Sequence, residues 1–227
     1  MGFRRGGRLI ANGLVMALDA TVDRSWTAGS SIWYDISGNS NHATASGSPS
    51  TQNSGTKVRG IAFDGTNDFF TVSANETTLG FKSGQTVGIL MYHTFTSGRR
   101  NPWDQAYGGY GTWTHEAGSN INYYHGTNGG NAQTYNSRNS GTTPRSTWNY
   151  MVCSRDLSNV TWYKNGVQTS QASSFGQLVN TTTANIRIGR GYAGYWIGNM
   201  VLIHVYNRGI TSSEVLENYN VIKNRFS

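Results

Sequence analysis

The chain is poor in cysteine, proline and charge: its 227 residues include one cysteine, three prolines and 13% charged residues. The lone thiol, Cys153, cannot form an internal disulfide, and its apolar neighbours favour a small buried side chain over a nucleophile. A chain without an internal disulfide is typical of proteins that fold in a reducing cytoplasm. No apolar run approaches the roughly 20 residues of a membrane-spanning helix, so no membrane partner is predicted.

Low charge does not here indicate disorder, because the chain is rich in aromatic residues (12%) and contains 29 glycines. Disordered segments are usually rich in charge and poor in aromatic residues. Large rings bury much apolar area per residue, and frequent glycine favours many short strands joined by tight turns. The composition therefore predicts an all-β domain, which we place at residues 13–227.

The positive charge, a formal net +7, begins in the segment 1–12. Arg4, Arg5 and Arg8 lie there among glycines, so this basic arm is either a frayed tail or a peptide that orders on a partner. The other arginines are scattered. Because no basic helix and no nucleic-acid motif is present, nucleic acid is not a predicted partner.

Two hairpins are predicted from short patterns. Asn165-Gly166 lies between strand-like runs, and this pair favours a type I′ turn because both positions need positive φ. Residues 112–116 and 121–125 flank a four-residue loop. The segment 126–145 is polar and rich in glycine, and we predict a long loop there.

Further apolar runs predict the remaining strands. The last of them, 197–206, alternates, with Val201, Ile203 and Val205 expected on one face and Met200, Leu202 and His204 on the other. Residues 61–63 and 68–72 are interpreted as two strands around a turn. The other predicted strands are 14–18, 32–35, 85–95, 148–154, 160–163 and 186–189.

One helix is predicted at the C-terminal end. Thr211 and Glu214 have the spacing of a capping box, in which the hydroxyl and the carboxylate each serve a free backbone N–H. Val215, Tyr219 and Ile222 then follow at helical spacing.

The order of these motifs resembles the concanavalin A-like, laminin-G-like jelly-roll family. The segments 13–20, 33–39 and 63–69 are similar to its opening, 148–150 and 162–167 to its middle hairpin, and 203–211 with 214–215 to its closing strand and helix. The resemblance implies a two-sheet antiparallel jelly-roll sandwich with one short C-terminal helix. The segments 101–110, 218–220 and 224–226 are similar to versions found in structural proteins of tailed phages.

Family members include glucanases, but the acidic residues do not form their pattern. A glycoside hydrolase needs two carboxylates across the scissile bond, and Asp64 and Asp68 are separated by a turn. Glu116 stands alone, with His115 expected on the opposite face of the strand. We therefore predict that the protein is not an enzyme and has no catalytic residues, with a glycoside hydrolase as the remaining alternative.

No cofactor and no metal site is predicted, although calcium is a possible ligand of a sandwich rim. Asp35 with Asn39 and Asn41, or Asp64 with Asn67 and Asp68, offers oxygen ligands. The competing interpretation, which we favour, is that these side chains cap turns through local backbone bonds.

Aromatic rings beside polar groups are typical of sugar-binding sites, and the middle of the chain is rich in both. The competing interpretation is that part of these rings belongs to the core, since they alternate along strands. The candidate carbohydrate-binding residues are Trp103, Asp104, Tyr107, Tyr110, Trp113, His115 and Tyr124.

These observations predict a non-enzymatic phage virion protein, either a capsid decoration protein or a display protein of the head or tail. The alternative is a carbohydrate- or receptor-binding adhesin domain of a tail or fibre. The expected partners are capsid or tail subunits, through the arm, and a host-surface glycan. A homo-oligomer is expected because display proteins on particles are commonly symmetric.

Asn12 and Gly13 interrupt the first apolar residues of the chain, which makes a poor signal peptide. We therefore expect synthesis in the host cytoplasm and localisation in the virion.

Overall fold

Two antiparallel sheets packed face to face form the molecule, which confirms the predicted sandwich. The computed structural model describes residues 8–53, 59–81, 84–105, 111–116, 119–126, 135–157, 159–173 and 184–226. The strands within them are β1 (Leu14–Asp19), β2 (Ile32–Trp33), β3 (Ala43–Ser46), β4 (Ser50–Asn53), β5 (Arg59–Asp64), β6 (Phe69–Val72), β7 (Gln85–His93), β8 (Arg100–Gln105), β9 (Thr112–His115), β10 (Asn120–Gly126), β11 (Tyr135–Thr142), β12 (Asn149–Arg155), β13 (Val160–Lys164), β14 (Val167–Ala172), β15 (Ile186–Ile188), β16 (Arg190–Gly191), β17 (Gly194–Tyr195) and β18 (Ile197–Tyr206).

The order of the strands defines two sheets and a small ribbon. In the back sheet it is β14-β13-β12-β7-β18-β5-β4, and β1 pairs with the second half of β18. In the front sheet it is β11-β10-β9-β8-β15-β6-β3-β2. Strands β16 and β17 form the ribbon. Strands β5 and β6, which we predicted around a turn, lie in different sheets, so residues 65–68 connect the two layers.

The space between the sheets is filled mainly by aromatic rings. Trp113 of the front sheet meets Trp162 of the back sheet with ring centroids 4.7 Å apart. Trp26, Trp33 and Phe70 form a second group with edge-on and tilted contacts. Such pairs contribute about 0.5–1.5 kcal/mol each beyond the area that they bury, so the rings compensate for the low content of aliphatic residues.

A bulge in β18 changes the predicted alternation. The pairing with β7 shifts between Met200 and Leu202, and the extra residue moves Met200 into the core between the sheets together with Ile203 and Val205. Val201 joins Leu202 on the outer face of the back sheet. The prediction was therefore wrong for Met200 and Val201, because a bulge inserts one residue into a strict period of two.

The predicted turn and helix are confirmed. Asn165 and Gly166 have φ values of 51° and 82° between β13 and β14, as a type I′ turn requires. Helix α2 (Ser212–Ile222) begins after Thr211, whose side chain accepts from the Glu214 N–H while the Glu214 carboxylate accepts from the Thr211 N–H. A short 3₁₀ turn, Lys223–Arg225, follows.

A second, shorter helix was not predicted. Helix α1 (Glu76–Leu79) is capped by the Asn75 side chain, which accepts from the N–H groups of Thr77 and Thr78. No helix in the described part of the chain is both long and apolar enough to span a bilayer.

The outer face of the back sheet is apolar and covered. Leu90, Val152 and Leu202 lie on it and form one cluster with Val215 and Ile222 of α2. The start of the described chain also packs there: Leu9 and Ile10 contact the cluster, and the Ile10 N–H donates to Asn218 Oδ1 at 3.0 Å. Helix α2 and residues 9–10 thus close this side of the sandwich.

Residues 135–142, part of the predicted loop 126–145, form the edge strand β11 of the front sheet, so that prediction was wrong there. Back-sheet side chains reach the carbonyl groups of β11. Trp162 Nε1 donates to the Arg138 carbonyl at 3.0 Å, Thr169 Oγ1 to that of Ser140 at 2.7 Å, and the Ser170 hydroxyl to that of Asn139.

Candidate functional site

The outer face of the front sheet carries a row of polar side chains that crosses six strands. Trp103 and Ile186 point into the core, so Asp104 and Arg187, each one residue further along its strand, lie on the opposite face. These two are direct partners across β8 and β15. In order from β3 to β10, the row consists of Thr44, Thr71, Arg187, Asp104, Thr112 and Tyr124.

Asp104 lies at the centre of this row and is buried. Its exposed fraction is 4%, and Thr112 Oγ1 donates to its Oδ1 at 2.9 Å. Burial raises the pKa of Asp104, whereas the hydrogen bond from Thr112 and the nearby charges of Arg187 and Arg190 oppose that rise. The carboxyl group is therefore part of the floor of the face, and Arg187 is exposed beside it.

A cluster of two rings and one guanidinium borders the row. The Arg190 guanidinium carbon lies 4.9 Å from the centroid of the Phe69 ring and 5.2 Å from that of Tyr195. Such cation–π contacts hold a guanidinium in place at little entropic cost. All three side chains are partly exposed, so the cluster offers ring surface and charge at the same point.

The ribbon β16–β17 positions this cluster. Gly189 has a φ of 84°, and a Cβ there would meet the Phe63 ring at 2.5 Å, so the chain turns out of β15 at a position that only glycine fits. The Ala193 N–H donates to Asn101 Oδ1 at 2.6 Å, and Arg100 Nη1 donates to the Tyr195 carbonyl at 2.9 Å. These bonds fix the ribbon beside β8.

A second polar cluster lies further along β9 and β10. Arg99 forms a two-point ion pair with Glu116, at 2.8 and 3.1 Å, and Glu116 Oε1 accepts from the Tyr124 hydroxyl at 2.9 Å and from Asn122 Nδ2 at 3.3 Å. Although partial burial opposes it, these hydrogen bonds lower the pKa of Glu116. Glu116 is thus an ionised carboxylate whose charge is already compensated.

The structure separates the predicted carbohydrate-binding residues into three groups. Asp104 and Tyr124 lie in the polar row. Trp103 and Trp113 are fully buried between the sheets, so neither ring offers a surface to a sugar and the core interpretation applies to both. Tyr107 and Tyr110 lie outside the described residues, as do Arg4 and Arg5.

His115 also belongs to the interior. Its ring lies 4.4 Å from that of His93, centroid to centroid, and the pair joins β9 of the front sheet to β7 of the back sheet beside Trp196. Burial lowers the pKa of His93 to about 4. Burial, together with the neighbouring His93, lowers the pKa of His115 to about 3. Both imidazoles are neutral at pH 7, and His115 cannot contact a surface ligand.

Four residues of the face, namely Phe69, Arg187, Arg190 and Tyr195, were missed in the sequence. The alternation Ile186-Arg187-Ile188 is a usable signal for Arg187, since two buried neighbours place it outward. For Arg190 and Tyr195 the sequence carries no comparable signal, because the turn at Gly189 decides where the ribbon lies.

The oxygen atoms proposed for calcium serve the backbone. Asp35 Oδ1 accepts from the N–H groups of Ala17 and Ser37, both at 2.8 Å, and its Oδ2 accepts from Asn41 N at 3.0 Å. Asp64 Oδ1 accepts from the Thr66 N–H at 2.8 Å. The bonds from Ser37 and Thr66 are the local turn-capping contacts of the competing interpretation, whereas the bond from Ala17 joins Asp35 to β1. In the described residues no cluster of three or more His, Cys, Asp or Glu side chains could hold a metal ion.

Arg8 is the first described residue of the basic arm. It is exposed and lines a surface pocket with Leu216 and Glu217 of α2. The arm therefore enters the described structure beside this helix.

Several solved structures share the fold. The binding domain of Paraclostridial Mosquitocidal Protein 1 superposes with a TM-score of 0.71 at 14% identity, over 93% of this chain and 53% of that one. The binding domain of botulinum neurotoxin DC, in complex with rat synaptotagmin II, gives 0.69 at 11% identity, over 93% and 52%. A Trypanosoma rangeli sialidase in complex with the inhibitor DANA gives 0.65 at 14% identity, over 95% and 35%.

The present chain thus spans about half the length of the toxin binding domains, and identities this low show a shared fold alone. No curated protein sequence matches it. The model of the family described as the concanavalin A-like lectin/glucanases superfamily matches residues 25–216, which is most of the chain. The protein therefore belongs to the concanavalin A-like lectin/glucanases superfamily.

Proposed function

We propose that the protein is a non-catalytic binding module that takes a carbohydrate on the outer face of its front sheet. The observation that carries this proposal is the row of polar side chains from Thr44 to Tyr124, bordered by the partly exposed rings of Phe69 and Tyr195. Sugars are bound by aromatic surfaces with a few polar groups nearby, and this face combines both.

Binding domains among the structural neighbours support the proposal. One neighbour is a botulinum neurotoxin type C structure whose description names an interaction with two ganglioside molecules. Another is the complex with synaptotagmin II described above. The chain covers about half of each.

The positions of the carboxylates argue against glycoside hydrolysis. On the outer face of the front sheet, the acidic side chains in the described residues are Asp104 and Glu116. Asp104 lies opposite Thr112, and Glu116 follows Thr112 by four residues of extended chain, or about 13 Å. A catalytic pair works at roughly 5–9.5 Å, and Glu116 is already bonded to Arg99 and Tyr124.

A glycan array with neutral, carboxylated and sulfated glycans tests the proposal, using the folded chain and two matched variants. Thr71→Trp places a bulky ring at a partly buried position of the polar row and should abolish binding. Thr161→Trp introduces the same ring at a partly buried position of the back sheet and should leave binding intact. A folded protein that binds no glycan, or equal binding by both variants, would refute the proposed site.

We also propose that this module is part of a phage particle and docks there, as a homo-oligomer, through Arg4, Arg5 and Arg8 of the basic arm, since Leu9 and Ile10 already pack within the domain. The similarity of the segments 101–110, 218–220 and 224–226 to tailed-phage structural proteins supports this location, and so does the position of exposed Arg8 beside α2. Mass spectrometry of purified particles should detect the chain, and electron microscopy should show symmetric copies on the head or tail. Particles that lack the chain would refute this location but would not bear on the proposed binding site.

A further inference from the structure

We infer that the ligand of the front-sheet face is an anionic saccharide, carrying carboxylate or sulfate groups that Arg187 and Arg190 bind. This inference rests on the proposed function, because it names the chemical class of ligand for that same face. The outer face of the back sheet, closed by α2, has no corresponding pair of arginines in the described residues.

The charges on the face are unequally compensated. Arg99 is neutralised by Glu116 through two hydrogen bonds. Asp104 is 4% exposed and hydrogen-bonded to Thr112, so it is not presented to a ligand. Arg187 and Arg190 form no ion pair within the described chain, although their charges act on the buried carboxyl group of Asp104. Two guanidinium groups thus provide the accessible charge at the centre of the face.

Arg190 is held in place by its neighbours. The rings of Phe69 and Tyr195 both lie within 5.2 Å of its guanidinium carbon. Contact with two rings restricts the Arg190 side chain, and the N–H donors of a guanidinium match the two oxygen atoms of a carboxylate or sulfate. The group is therefore ordered before any ligand arrives, which lowers the entropic cost of binding.

Arg187 supplies the second charge, on β15 and three residues before Arg190. It is exposed, directly opposite Asp104 and beside Thr71. The rings of Phe69 and Tyr195 offer apolar surface for the C–H groups of a pyranose, and Thr71 offers a hydroxyl group. A saccharide that carries acidic groups matches this combination better than a neutral one.

An array of matched glycan pairs tests the inference. Each neutral glycan is printed beside its sialylated, uronate-bearing or sulfated counterpart, together with single-stranded oligonucleotides as non-sugar polyanions. We expect the signal to concentrate on the acidic member of the pairs and to weaken as salt is raised. The carboxylated and sulfated arms identify which acid group is preferred.

Three single-charge variants sharpen the test, each measured by titration with the acidic glycan that gives the strongest signal. Arg187→Gln and Arg190→Gln should each weaken binding roughly tenfold or more, since each removes a charge-assisted hydrogen bond. Arg24→Gln removes the same charge at an exposed position away from the polar row and should change affinity less than twofold. Arg190 also packs on two rings, so Arg190→Gln could weaken binding by destabilising the fold, and thermal unfolding is therefore measured for all three variants. The affinity of Arg187→Gln decides the test, because Arg187 is exposed.

Each of the other outcomes is decisive. Equal binding of neutral and acidic glycans overturns the inference and leaves the proposed function in place. The same holds if Arg187→Gln binds the acidic glycan as tightly as the unmodified protein does. Oligonucleotide binding that matches glycan binding and disappears in Arg187→Gln identifies a general polyanion surface and overturns the inference. Binding to no glycan at all overturns both proposals.

Discussion

The two sheets of this protein have outer faces of opposite character. The back sheet presents Leu90, Val152 and Leu202 outward and buries them under α2. The front sheet presents Asp104 and Arg187 outward, and the α2 cluster does not include them. Both sheets contribute similar apolar residues to the space between them, so the difference lies in the outward positions alone.

This difference indicates that the outward residues of one sheet stabilise the fold, whereas those of the other are available for the proposed binding. A strand has two faces, and its inward residues alone form the sandwich core. The outward residues of the back sheet extend that core by a third layer, which adds apolar burial at about 25 cal/mol per Å². In the proposed function, the exposed outward residues of the front sheet, such as Arg187, bind the ligand instead. Four predictions test this division, in order of expected size.

The largest effect is expected where a charge enters the covered face. Val215 is fully buried under α2, and Val215→Asp would place an unpaired carboxylate there, at a cost of about 4 kcal/mol or more in the free energy of unfolding. Urea unfolding measures the change. Leu216→Asp, at the next residue with 46% exposure, should cost less than about 0.5 kcal/mol. Similar losses for the two variants would contradict the assignment of α2 as a cover.

The next largest effect is a loss in the free energy of unfolding at low pH, because protonation of His93 should weaken the contact between the sheets. The pKa of His93 is lowered by burial to about 4, whereas an unfolded histidine titrates near 6.5. Between these values the unfolded chain binds more protons, so stability is full above about pH 6.5 and falls as the pH is lowered towards 4. His93 alone accounts for about 3 kcal/mol at pH 4.

Chemical unfolding at several pH values measures this slope. His93→Gln stays neutral and should reduce the slope by about half, because His115, whose pKa is lowered to about 3, still loses stability in acid. A slope that is unchanged in His93→Gln would show that other groups cause the loss.

A smaller effect is expected at the start of α2. Thr211→Ala removes the hydroxyl that accepts from the Glu214 N–H, and loss of a helix cap costs about 1 kcal/mol. Because α2 covers the back sheet, global unfolding should report this loss. Thr211→Ser keeps the hydroxyl and should restore nearly all of the stability. If both variants were equally unstable, the cap would not be the cause.

The smallest effect on stability is expected on the front-sheet face. Arg187 is exposed, and Arg187→Gln should change the free energy of unfolding by less than about 0.5 kcal/mol. Thermal unfolding of this variant beside Val215→Asp compares the two faces directly. A loss above about 2 kcal/mol would show that the front-sheet face also serves stability.

Much of the fold could be predicted from the sequence because its strongest signals are local. Asn165-Gly166 requires a backbone that few other pairs adopt, and the capping box of α2 joins two residues three positions apart. The edge strand β11 could not be predicted, since residues 135–142 carry polar side chains without an alternating pattern. Its strand form depends on pairing with β10 and on bonds from β13 and β14, all of which are tertiary.

The candidate site was predicted only in part. Asp104 and Tyr124 were identified by residue type, yet the same reasoning selected Trp103 and Trp113, which are core residues. Aromatic residues serve cores and sugar sites equally well, so residue type alone cannot separate the two. Their inward or outward direction decides, and a bulge can invert that direction, as it does for Val201 in β18.

The side chains that reach β11 also bear on the solubility of the molecule. An edge strand with free carbonyl and N–H groups is a template on which another chain can add a strand, and proteins avoid aggregation by blocking it. In this protein Trp162, Thr169 and Ser170 of the opposite sheet already occupy carbonyl groups of the edge. A second copy could not extend the front sheet there without first displacing them, so the sandwich protects this edge with its own side chains.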